Sequence, residues 1–142
     1  MTFNILITDD LSSQGLAHLE EAADVTYDIV KGLSPAALAE RIASRLRRTP
    51  LHIAGKAGVI TKIGWCTGSA QNYIELAHAA GVDAYLTGEV SEQTVHFARE
   101  TGLHFFAAGH HATERYGVQA VGEYLAETCG LKHVFVDIDN PV

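Results

Sequence analysis

The residues of this chain best equipped for chemistry lie together in LHFFAAGHHATE, Leu103–Glu114. An apolar run ends at Gly109 and gives way to His110, His111 and then Glu114. An imidazole and a carboxylate four residues apart leave the same face of a helix, so His110 and Glu114 can meet on one divalent ion. His111 and Glu114, three apart, offer the same chemistry. Two protein ligands fall short of the three or four that zinc-type sites use. The competing reading is a helix start with a solvated histidine pair and Glu114 favoured by the amino-terminal dipole. Spacing alone leaves the two readings level.

Such a pair needs a joint that aims it. Leu103–Ala108 has the length and aromatic content of a buried strand, and Ala112–Thr128 reads as a helix. The joint between them falls at the carboxyl end of a strand, where open α/β sheets place their ligand crevice. The rest of the chain repeats this alternation. Strands are predicted over Asn4–Thr8, Val25–Val30, Leu51–Ala54, Lys62–Cys66, Asp83–Thr87 and His133–Ile138. Helices are predicted from Ser12 or Ser13 to Ala23, from Ser34–Pro35 to Arg47, over Gln71–Ala80 and from Ser91 to Glu100. Strands alternating with helices imply βαβ units and a mostly parallel sheet. The expected fold is a single three-layer α/β domain over residues 1–142, flavodoxin-like in plan.

Parallel order brings the strand-to-helix turns onto one rim: Asp9–Asp10, Cys66–Ser69, Gly88–Glu89 and Gly109–His111. Glu89, His96, His111 and the Asp9–Asp10 pair are therefore candidate supplementary ligands. Each has a plainer reading, since acidic residues at strand ends commonly serve turns and caps, and a helical His96 commonly sits on an exposed face. Thr67–Ser69 resembles part of a phosphate-cradling loop, but it has neither the Rossmann glycine pattern nor the P-loop lysine. Small residues fitted to a tight turn explain it better. Trp65, Phe105 and Phe106 read as core, and Cys66 as a buried small residue. Arg45, Arg47 and Arg48 crowd a helix end, where cations suit the carbonyl dipole.

The totals exclude several classes. An apolar content of 47% and a charged content of 19% belong to a globular chain. A net charge of −7 argues against unaided binding of nucleic acid or anionic membrane, and no apolar run approaches the ~20 residues of a membrane span. Met1–Asp10 does not read as a signal peptide, and two distant cysteines do not make a disulfide framework, so a cytoplasmic location is expected. The absent glycine fingerprint argues against NAD.

Three blocks carry a resemblance: GWCTGSAQ (Gly64–Gln71), DAYLTGEVSEQTVHFARETGLHFFAAGHHATER (Asp83–Arg115) and FVDIDNP (Phe135–Pro141). Together they resemble the carboxyl-terminal half of the Nif-three-like family, the GTP cyclohydrolase type 2 homologues, over about residues 34–142. The resemblance implies oligomers, toroidal hexamers in that family, and a two-metal site in each subunit, with zinc, iron or manganese as the expected ions. Carried over, the family's second-half ligands are His110 and Glu114, which moves the metal reading ahead. The family's other ligands come from an amino-terminal half that this chain lacks. Residues 1–33 instead resemble the opening of D-3-phosphoglycerate dehydrogenases, through ILITDDLSSQGLAHLEEAADVTYDIVKGLSP. The combination implies a fusion or chimera whose added strands cover the sheet edge. It also implies residual metal binding without robust catalysis; the alternative is a metal-dependent hydrolase of nucleotide-like substrates.

Overall fold

The computed structural model describes residues 3–7, 13–22, 25–29, 32–138 and 140–142. Strands β1 (Phe3–Ile7) and β2 (Val25–Ile29) flank helix α1 (Ser13–Glu21) and pair in parallel with each other. The second sheet contains β3 (Leu51–Ile53), β4 (Ile63–Trp65), β5 (Ala84–Thr87) and β6 (His104–Ala107), in the order β3-β6-β5-β4. Among these, β4, β5 and β6 run parallel, and β3 closes one edge antiparallel to β6. Mixed α/β architecture with a mostly parallel sheet is thus as expected. The expected extension of this sheet by the amino-terminal strands does not occur among the described residues. The first βαβ unit satisfies its own ladder, and β3 and β4 take the two edges of the other sheet.

Helices cover both faces of the four-stranded sheet. Helix α2 (Pro35–Leu46) begins where Ser34 Oγ accepts from the Ala37 N–H at 3.2 Å and Pro35 supplies a pre-set first turn. Its Leu38 and Ile42 pack with Ile60, Ala84, Phe106 and Ala108. On the opposite face, a 3-10 turn at Gln71–Tyr73 leads into α3 (Ile74–Ala79), and α4 spans Glu92–Thr101. Ile74 and Ala98 from these helices pack with Ile53, Tyr85, Leu103, Phe105 and Ala107. Phe105 and Phe106 are adjacent on β6 and point to opposite faces, so one strand anchors both cores. Ser91 caps α4 through the Thr94 N–H at 3.2 Å, and Gly102 ends it in the left-handed conformation at φ 77°.

Helix α5 runs over His110–Cys129, starting two residues earlier than the sequence suggests. Of its side chains only Ala112 is buried, while Val118, Val121, Tyr124 and Leu125 are exposed. Two expectations need correction. The strand predicted over His133–Ile138 is irregular, because no strand of the described chain pairs with it. Trp65 is not core but 71% exposed, because it ends edge strand β4 with its side chain outside both clusters. Asp9 and Asp10 lie outside the described residues. No helix among the described residues is long and apolar enough to cross a membrane.

A polar knot lies at the β3–β6 edge. His104, 3% exposed, accepts at Nδ1 from the Gly55 N–H (3.0 Å) and from His52 Nε2 (3.0 Å), and donates from Nε2 to the Ala57 carbonyl (2.8 Å). The His52 ring also stacks on Phe106 at 4.3 Å. Burial, which disfavours the charged ring, holds the pKa of His52 below its ordinary value. A histidine with a lowered folded-state pKa leaves stability untouched above the unfolded value of about 6.5 and lowers it as pH falls towards the folded value. Urea midpoints are therefore expected to fall between about pH 7.5 and 5.5, and less so in His52→Phe, which keeps the stack. Equal slopes in the two proteins would contradict this assignment.

Candidate metal centre

Strands β4, β5 and β6 lie side by side and run parallel, so their carboxyl ends share one rim. The following turns are laced together: the Gly88 N–H donates to the Gly68 carbonyl (3.0 Å) and the Gly109 N–H to the Gly88 carbonyl (2.8 Å). The buried Thr87 hydroxyl donates to the same Gly68 carbonyl at 3.1 Å. Thr113 fixes the first turn of α5, since its Oγ1 accepts from the Gly68 N–H and contacts the Gly109 carbonyl, each at 3.0 Å. The start of α5 is thereby clamped against the β4 turn.

This scaffold brings His110, Glu114 and Glu89 together. His110 Nε2 lies 2.9 Å from Glu114 Oε2, and His110 Nδ1 lies 2.7 Å from Glu89 Oε1. The imidazole thus sits between two carboxylates, one from its own helix and one from the β5 turn. Ser69 Oγ donates to the other Glu89 oxygen at 3.1 Å, with Gln71 Nε2 at 3.4 Å. The hydrogen bond to Glu89, reinforced by the charge of Glu114, raises the pKa of His110. The His110 hydrogen bond, followed by that of Ser69, holds the Glu89 carboxyl low. The three residues open onto a cleft of about 500 Å³.

Gly68 makes this geometry attainable. It adopts φ 67°, and a Cβ there would stand 2.1 Å from Glu114 Oε1 and 3.3 Å from His110 Nε2. Only a residue without a side chain leaves room for both groups. Gly68→Ala is expected to cost about 1–3 kcal/mol of stability through the left-handed backbone and to push Glu114 off His110. Chemical denaturation and the His110 resonances in an NMR spectrum would check this; an unchanged His110 environment would contradict it. The Thr67–Ser69 turn is therefore not a phosphate cradle. Its Gly68 amide and Ser69 hydroxyl are committed to Thr113 and Glu89.

The other candidate ligands are placed elsewhere. His111 turns away and lies 2.7 Å from Asp137 Oδ1. His96 lies on α4 beside Glu92 at 3.8 Å, with most of its side chain exposed. Among the described residues no group of three or more His, Cys, Asp or Glu is arranged to hold a metal ion. The pair His110 and Glu114 fits an ion by its donor chemistry and by the space that Gly68 leaves, and offers two ligands. The orienting contact of Glu89 could not be read from sequence, because it depends on the β5 and β6 turns lying side by side.

One family model matches nearly the whole chain, and individual relatives match about four-fifths of it. The family model for Duf34/NIF3 (NGG1p interacting factor 3) matches residues 3–141. A protein of Allochromatium vinosum named GTP cyclohydrolase 1 type 2 homolog is 55% identical over 113 residues, covering 80% of this chain and 44% of the relative. Its namesake in Pseudomonas aeruginosa is 57% identical over 114 residues, with the same coverage of 80% and 44%. The chain thus spans less than half the length of these curated relatives. Among solved structures, protein ybgI, described as of unknown function, matches with TM-score 0.76 and 49% identity, over 80% of this chain and 46% of that one. A Thermus thermophilus protein matches with TM-score 0.68 and 28% identity, over 74% and 42%. The family match begins at residue 3 and so takes in most of the segment read as dehydrogenase-like. That extent lends no support to a separate origin for residues 1–33.

Proposed function

Because the chain belongs to the Duf34/NIF3 family, we propose that it binds a divalent transition metal through His110 and Glu114 and does not sustain turnover unaided. One observation carries the reading: His110 Nε2 and Glu114 Oε2 converge to 2.9 Å on an open cleft. Two further features support it. Glu89 stands behind the ring at 2.7 Å from Nδ1, the partner that metal-bound histidines commonly have, and it holds the ring with Nε2 on the Glu114 side. Gly68 leaves the two ligand atoms unobstructed. A divalent ion held there supplies Lewis-acid polarisation and an activated water.

With two ligands the chain is short of the number that affinity and water activation need. Elemental analysis of protein purified without chelator tests the metal assignment. Less than about a tenth of an equivalent of any transition metal in both the unmodified protein and His110→Ala would refute it. Assays against nucleoside triphosphates with added manganese or zinc test the second half of the proposal. Metal-dependent turnover lost in Glu114→Ala would overturn the claim that the chain alone is inactive.

A further inference from the structure

A second cleft, of about 220 Å³, adjoins the first between the end of α2 and the opening turns of α5. The two share His111, Arg115 and Asn140 in their walls. The second is cationic among the described residues: Arg47, Arg48 and Arg115 line it together with His111, against the single described carboxylate of Asp137. In a chain of net charge −7 this is a local reversal of sign.

The carboxylate already there comes from the segment after α5. Asp137 lies 2.7 Å from His111 Nε2, 3.3 Å from Arg115 Nη1 and 3.8 Å from Arg47 Nη2. Arg48 donates to the Asn140 carbonyl at 3.0 Å and to that of Pro141, and has no carboxylate partner among the described residues. Arg115 is the unusual member. Its side chain is 9% exposed, its Nη2 donates to the Leu46 carbonyl at 2.6 Å, and its buried Nε has no partner among the described residues. A guanidinium so desolvated calls for more acceptor atoms than one shared carboxylate and one carbonyl provide.

The segment that supplies Asp137 is lightly anchored. Val134, Val136 and Ile138 are 67%, 71% and 74% exposed, so moving it forfeits little apolar burial. We infer that Arg48, His111 and Arg115 form a subsite for a phosphate-class anion, with Asp137 as the chain's own stand-in for that ligand. A dianion matches two guanidinium groups and an imidazole better than one carboxylate does, and planar guanidinium forks suit phosphate oxygens. The substrate class is a phosphorylated small molecule whose other end reaches His110 and Glu114 through the adjoining cleft. This placement rests on the metal reading of those two residues, whereas the anion contacts do not.

Calorimetric titration of the metal-free full chain with inorganic phosphate tests the subsite. Asp137→Asn, which weakens the internal competitor, is expected to bind phosphate about tenfold more tightly than the unmodified chain, and Arg48→Ala about tenfold more weakly. Affinities equal within about twofold in all three proteins would mean an adventitious ion only, and no binding in any of them would equally overturn the proposal. Acetate binding as tightly as phosphate would overturn the choice of phosphate. Failure of the metal reading shows separately, as a chain without metal that still discriminates among these variants.

Discussion

Zinc titration of His110→Ala is expected to show an affinity at least about 100-fold below that of the unmodified chain, with Glu89→Gln lying between the two at about 10–100-fold. The ordering follows from the geometry. His110 is one of the two proposed ligands, so its removal would leave the Glu114 carboxylate, 49% exposed, to hold an ion alone. Glu89 contacts the far side of the ring at 2.7 Å and would act on a bound ion through His110 only. Glutamine keeps the shape and still offers an acceptor oxygen to the Nδ1–H, but loses the charge that makes the imidazole a stronger donor. A Glu89→Gln affinity below that of His110→Ala would make Glu89 the principal ligand and overturn this assignment. Circular dichroism on the same samples separates lost ligands from lost fold.

The largest effect on stability is expected from Phe106→Ala, at about 3–5 kcal/mol, out of the roughly 5–15 kcal/mol typical of a whole domain. Phe106 is 0% exposed and is enclosed by Leu38, Ile42, Ile60, Ala84 and Ala108, with the His52 ring stacked on it at 4.3 Å. Truncation opens a cavity between α2 and the central strand of the sheet. The walls there belong to two regular elements and cannot collapse inward without breaking the β5–β6 register. At roughly 2–4 °C per kcal/mol for a chain of this size, the melting temperature should fall by about 10 °C. Trp65→Ala is the control. Trp65 is the larger aromatic, yet it is 71% exposed, so its loss should stay within about 0.5 kcal/mol. A Phe106→Ala cost below about 1.5 kcal/mol would show that the α2 face of the sheet is not a packed core.

The contrast between Trp65 and Phe106 marks where sequence reading succeeds and where it stops. Both are aromatic residues in apolar strands, and both read as core. Phe106 lies on β6, flanked by β3 and β5, whereas Trp65 ends β4, which has one neighbour. Strand order decides which is buried, and strand order is a long-range property. The segment around Val134 and Val136 teaches the same lesson. Its apolar alternation is that of a strand, but a strand needs a partner ladder, and none is offered among the described residues.

Local chemistry was legible in the chain itself. Ser34–Pro35 and Ser91 start helices because a side-chain oxygen and a pre-set φ act within one turn. The spacing of His110 and Glu114 puts them on one helix face because about 3.6 residues make a turn. Tertiary structure alone decided the rest: that Glu89 backs His110, that Gly68 makes room for Glu114, and that His111 turns to Asp137. Each of these contacts joins positions at least 21 residues apart, as Glu89 and His110 are; the first two depend on how parallel strands stack their turns, and the third on where the segment after α5 lies. Helical periodicity fixes neighbours within a turn; only the packing of separate elements brings distant side chains to a common point.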